Sequence, residues 1–116
     1  MSEIELKIEI KALNERTAND IGLQRDLLEC FEKNLGEVRN SLTTYALEDN
    51  RNAMKSELHK LKGSVGIFGF VNVSEHISCI EKMLESDTDA DFSAMFSDLF
   101  SAIEKHIVEL KCIINK

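Results

Sequence analysis

The sequence predicts an all-α protein, an antiparallel four-helix bundle with a short additional N-terminal helix. Three observations carry that expectation. Neither proline nor tryptophan occurs among the 116 residues, and proline is the residue that most reliably interrupts a helix. Apolar side chains recur at steps of three and four along most of the chain. The polar breaks between these stretches are short, as antiparallel neighbours in a bundle require. This length suits one domain with one continuous core and no need of disulfide or metal support, so residues 1–116 read as a single helical domain.

The elements follow in order. Ile4, Leu6, Ile8 and Ile10 alternate with charge at period two, a strand pattern, but a lone strand has no sheet to join. We expect a helix over about Ile10 to Asn19 that closes one end of the bundle, preceded by a loosely ordered lead over residues 1–9. Asn19-Asp20 offers a cap, and from Ile21 the residues Leu27, Leu28, Phe31, Leu35, Val38, Leu42 and Tyr45 keep one apolar face for about seven turns. Gly36 is a candidate bend. The string Glu48-Asp49-Asn50-Arg51-Asn52 is rich in turn and cap formers, so a new helix starts near Asn50. In it Met54, Leu58, Leu61, Val65 and Phe68 form a seam, and Gly69 supplies the permissive backbone that ends it. Val73, Ile77, Ile80 and Leu84 repeat the pattern in the next helix. After the polar break Glu85 to Asp91, Phe92, Met95, Phe96, Leu99, Ile103, Ile107, Leu110 and Ile114 make the last one.

Composition excludes several classes of function. The net charge is -7, and no basic stripe interleaved with aromatics appears, so no nucleic acid is expected as partner. No segment approaches membrane-spanning length and the acidic start lacks a secretory pattern, so we expect a cytoplasmic protein with no membrane partner; no extra apolar helix face is evident, so we expect a monomer. Cys30, Cys79 and Cys112 are odd in number and far apart, without zinc-type spacing. They read as small core or half-buried residues in a reducing compartment.

The informative segment is His59-Lys60-Leu61-Lys62-Gly63-Ser64-Val65-Gly66-Ile67-Phe68-Gly69. At about 100° per residue the seam lies roughly 140° from His59, which therefore projects into solvent. Lys55, Lys62, Gly63 and Gly66 lie within about 60° of it by the same arithmetic. A neutral imidazole is a nucleophile suited to an acyl phosphate, and Lys62, one turn along, can pair with phosphoryl oxygens. Gly63 and Gly66 each cost about 1 kcal/mol against Ala in a helix interior, which asks for a reason. Either an incoming domain needs close access, or a neighbouring helix of the same chain does. A lone helix-surface histidine is ordinarily only that, and Lys60 and Lys62 alone make a solvated face; the joint spacing is what argues for chemistry.

That spacing resembles the signature of histidine-containing phosphotransfer (HPt) domains, His-x-Leu-Lys-Gly-Ser/Ala with a further Gly near its end. His59, Leu61, Lys62, Gly63, Ser64 and Gly69 match it, and the pattern of apolar positions extends the likeness from about Ile21 to Leu84, including the Ile80-Glu81 pair where the family often has Leu-Glu. The resemblance implies a four-helix bundle with His59 as phosphoacceptor, Lys62 as phosphate-stabilising cation and Gly63 as access residue. It implies a carrier that relays a phosphoryl group between a receiver domain of a hybrid histidine kinase and that of a response regulator, and we expect that carrier to be free-standing. The assisting divalent metal would belong to the receiver, so no cofactor is expected here. Val65 and Leu58 depart from the family's small residues on the seam, and Phe68 and Phe70 are bulkier than usual around Gly69, which bears on partner choice.

Docking is expected on an apolar patch beside His59. Ile67, about 80° from His59 on the wheel, is the first candidate, with Lys55, Ser64 and Gly66 as further partner-binding positions. The order Lys-Gly-Ser lacks the phosphate-loop spacing, so no ATP site and no self-phosphorylation are expected. No Glu-x-x-His pair supports a di-iron centre, and His76 with Cys79 is only a two-ligand fragment. The rival reading is a helical adaptor or inhibitor that binds a receiver or kinase through the same face without being phosphorylated.

Overall fold

The computed structural model describes residues 4–86 and 89–115. It contains five helices, α1 (Ile10–Arg16), α2 (Ile21–Leu47), α3 (Arg51–Ile67), α4 (Val71–Glu85) and α5 (Phe92–Ile114), and no strand among the described residues. Three of the starts are fixed by side-chain caps of the kind the sequence offers. Asp20 accepts from the Leu23 amide at 3.0 Å, Asn50 from Ala53 at 3.2 Å and Asp91 from Ala94 at 3.1 Å, each satisfying an amide that the first turn leaves without a helical partner. α3 ends as its glycine requires. Gly69 sits at φ +75, and the Phe70 amide donates back to Val65 O at 3.1 Å while Gly69 donates to Gly66 O at 3.2 Å, the paired bonds of a left-handed helix cap.

α2 packs on α3 and α5, α3 on α4, and α4 on α5, so four helices close a ring around one core. Leu42, Met54, Leu58, Val65, Ile77, Ile80, Leu99, Ile103 and Leu110 are fully buried in it, which are the seam positions read from the sequence. α2 runs through Gly36 without interruption. No helix among the described residues is long and apolar enough to cross a membrane.

Two expectations for the N-terminal part of the chain are corrected. α1 is shorter than Ile10 to Asn19, because Ala18 and Asn19 take positive φ of 50 and 62 and reverse the chain after Arg16. The buried Gln24 amide then ties the two helices, donating to Asn14 Oδ1 at 2.9 Å and Thr17 Oγ1 at 3.0 Å. The lead over residues 1–9 was expected to be loose; residues 1–3 lie outside the described residues, and residues 4–9 form a strap tied across the bundle end. The Glu9 amide donates to Gly69 O at 2.8 Å, Asn72 Nδ2 to Glu5 O at 2.9 Å, and the Lys7 amide to Nε2 of the buried His106 at 3.2 Å. His106 Nδ1 reaches Ala102 O at 2.7 Å; since an amide only donates and a carbonyl only accepts, the ring proton sits on Nδ1. Ile4 and Ile8 half-bury against the core. Leu6, between them, stays exposed, so only part of the period-two alternation is used in laying the lead on the helices.

The cysteines are the other correction. Cys30, Cys79 and Cys112 are all exposed, Cys79 although it is next to the buried Ile80.

Candidate functional site

The site is built on α3 and completed by α4. Leu58, Leu61 and Val65 anchor α3 in the core, which turns His59 outward with 76% of its side chain exposed. On the same face Lys62 leans across to α4. Its Nζ stands 2.8 Å from Glu81 Oε1 and 3.5 Å from Ser78 Oγ. The His59 ring turns Nδ1 to the same carboxylate, 3.7 Å from Glu81 Oε2. One carboxylate of α4 therefore faces both the imidazole and the ammonium, with Nε2 the ring nitrogen farther from it.

Glu81 is only 16% exposed. Its Oε1 is closed to solvent and makes no hydrogen bond of acceptable angle among the described residues, although Lys62 Nζ lies so near. We take the contact with Lys62 as Coulombic: an ammonium off the lone-pair line still compensates a buried carboxylate. Lys55, one turn before His59, is paired instead with Glu85 at 3.4 Å, so it frames the face without reaching the ring's partner.

Gly63 and Gly66 settle one of the alternatives open at the level of sequence. A Cβ built on either meets no heavy atom within 4 Å. Among the described residues no neighbouring helix packs against the missing side chains, and both glycines leave bare backbone beside His59. Gly69 is different, because a Cβ there would collide with the Glu9 carbonyl; it serves the strap and the cap.

Ser64 and Ile67 fall on the other flank. The Ser64 hydroxyl donates to Lys60 O at 3.3 Å, and both residues line an open groove between α2 and α3 whose floor is Leu27, Phe31, Val38 and Phe68. Phe31 and Phe68 stack with centroids 5.3 Å apart, Phe68 and Phe70 at 5.7 Å, and Phe70 meets His106 at 5.1 Å. The bulky pair around Gly69 thus turns inward, joining the groove to the strap's anchor. The structure gathers His59, Lys62, Gly63 and Gly66 on one face, and separates Ser64 and Ile67 from the charged partners on α4.

Sequence reasoning missed the roles of Glu81 and Ser78. Glu81 was noted only for a likeness to the family's Leu-Glu pair, since a one-helix wheel says nothing about a neighbour's register. The available signal was an acid immediately beside the buried Ile80, where a carboxylate needs a cation. Among the described residues no group of three or more His, Cys, Asp or Glu is placed to hold a metal ion.

The comparisons with known proteins bear on the family. No curated protein and no solved structure matches the chain. The model of one family, described as the Hpt domain, matches residues 26–111, a span that contains α3, α4 and the whole constellation around His59. Domains of this family are phosphocarrier modules of phosphorelays, working with receiver domains and kinases. With most of its length matched, this chain belongs to the Hpt domain family.

Proposed function

We propose that the chain relays a phosphoryl group between aspartate-bearing receiver domains on Nε2 of His59. The single observation that carries this reading is the exposed imidazole with Nδ1 turned to Glu81 and the Lys62 ammonium held on the same carboxylate. A hydrogen on Nδ1, facing an acceptor, puts the lone pair on Nε2, where an incoming acyl phosphate can be attacked in line. Lys62, already within a turn of the ring, stabilises the transferred oxygens. Gly63 and Gly66 keep the approach clear, and Lys55 contributes positive charge at the rim.

The receiver seats on the groove flank, where Ile67 and Ser64 meet α2, an apolar patch of the kind that gives a transient complex its desolvated centre. In this reading residues 1–116 act as one domain, an up-and-down antiparallel bundle, monomeric and cytoplasmic. Phosphoryl groups arrive from partners, not from ATP.

The test supplies labelled ATP to receiver-bearing histidine kinases and follows label onto wild type and His59→Gln. Acid-labile, base-stable label on wild type alone supports the carrier. Equal labelling of both moves the chemistry off His59. No label from any donor, with receiver binding retained by His59→Gln, supports the adaptor in its place.

A further inference from the structure

Glu81 is the member of the site that a phosphate carrier does not obviously want. It comes from α4, is 16% exposed, and has one oxygen closed to solvent. Its near cation is Lys62 at 2.8 Å, while Lys55, the other cation of this face, stands 3.4 Å from Glu85. A phosphoryl group on His59 would bring a second anion to the same ammonium. Two anions then contest one cation, and whichever loses is left with less compensation.

Resting on the reading of His59 as acceptor, we propose that Glu81 is a positioning residue that keeps phospho-His59 at high transfer potential by contesting Lys62 with the phosphoryl group. The transfer balances as follows. The Nε2 lone pair forms the N–P bond, the P–O bond to the receiver aspartate breaks, and its electron pair leaves on the aspartate carboxylate. Nδ1 keeps its hydrogen, so the ring carries one positive charge as the bond forms. Glu81 Oε2, 3.7 Å from Nδ1 in the resting protein, steadies that charge during attack. Afterwards the exposed ring can release its proton to water, whereas the phosphoryl group keeps its negative charge at neutral pH. The contest for Lys62 therefore governs the final balance. Across a few ångströms at the effective dielectric of a half-exposed site, one unit charge shifts an equilibrium by on the order of tenfold.

The experiment mixes the full chain with one receiver domain charged by acetyl phosphate and freed of excess donor, and measures how label divides at equilibrium between phospho-His and phospho-Asp. Glu81→Gln should move the division about tenfold toward phospho-His while slowing exchange, and Glu81→Asp, which keeps the charge, should stay near wild type. Lys62→Met removes the contested cation; it should move the division toward phospho-Asp and erase most of the difference between Glu81 and Gln. Urea melts of each variant separate these effects from loss of fold, and the Lys62→Met comparison stands if Glu81→Gln alone folds poorly. An unmoved division, a shift toward phospho-Asp in Glu81→Gln, or Asp behaving as Gln overturns the role of Glu81 alone. Wild type that takes no label overturns the carrier reading, and this proposal with it.

Discussion

Gly63→Ala and Gly66→Ala offer a direct test of why this helix carries glycines beside its histidine. Both positions are interior to α3, where replacing Gly by Ala removes excess backbone freedom worth about 0.5–1 kcal/mol. The added methyl meets no heavy atom within 4 Å at either site, so no packing penalty offsets the gain. Each variant should be more stable than wild type by about that amount, and the pair by roughly 1–2 kcal/mol, which raises the melting temperature by several degrees in a domain of this size. Phosphoryl transfer should move the opposite way. A methyl on the approach face displaces an incoming receiver by about 1 Å, enough to slow transfer on the order of tenfold or more. Urea unfolding at constant m and single-turnover transfer from one charged receiver, run on the same preparations, read both quantities. A loss of stability would mean that the glycines serve internal packing, and unchanged transfer would mean that they serve nothing at this site.

The other predictions concern the groove, the cap and one half-buried imidazole. Ile67→Asp places a charge beside Phe31, Leu27 and Phe68 at a half-buried position packed on the core, so transfer at sub-saturating receiver should fall at least tenfold in a variant that still folds, its stability read by urea melt; transfer at the wild-type rate sinks the docking assignment. Gly69→Ala forces a side chain into the left-handed region, about 1–2 kcal/mol, and pushes back the Glu9 peptide, straining the bond from the Glu9 amide to Gly69 O that anchors the strap, which costs about 1 kcal/mol more. A urea-measured loss below 1 kcal/mol, or an unchanged exchange rate at the Glu9 amide, contradicts that account. Burial lowers His76 from its ordinary 6.5, partly opposed by the Asp98 charge, so below that pH the unfolded chain binds the more protons. The stabilisation is complete above about pH 6.5 and is lost as pH falls through the lower folded value; His76→Gln should flatten that part of the stability curve, and an unaltered slope would count against it.

Much of this fold could be read in one dimension because each helix keeps its own register against the core. Leu58, Leu61 and Val65 fixed the inward side of α3, and the outward projection of His59 followed from rotation alone. Caps at Asp20 and Asn50 were equally local, depending on residues within one turn. What escaped were contacts between elements. The strap rests on Gly69 O, Asn72 and His106, separated from it by 60 to 99 positions, and its period-two pattern has no sheet to signal it. Small size suggests burial for the cysteines, yet Cys30, Cys79 and Cys112 all face solvent, each off the buried positions of its helix. Glu81 reaches His59 and Lys62 through the packing of α4 on α3, a register that no single-helix wheel contains.

The two flanks of His59 differ in chemistry, and that difference separates binding from rate. On the α2 side lie Leu27, Phe31, Val38 and Ile67 around an open groove, surface whose removal from water contributes affinity without regard to the state of the phosphoryl group. On the α4 side lie Lys62, Glu81 and Ser78, whose electrostatic contribution changes as the N–P bond forms. Contacts equal in ground and transition state alter only the receiver concentration needed for half-maximal transfer. Groups that respond to the moving charge alter the rate at saturation. Ile67→Asp should therefore raise the half-saturating receiver concentration with a near-normal maximal rate, and Lys62→Met should do the reverse. If both variants changed the same parameter, docking and chemistry would share one surface, and the division of labour between α2 and α4 would have to be abandoned.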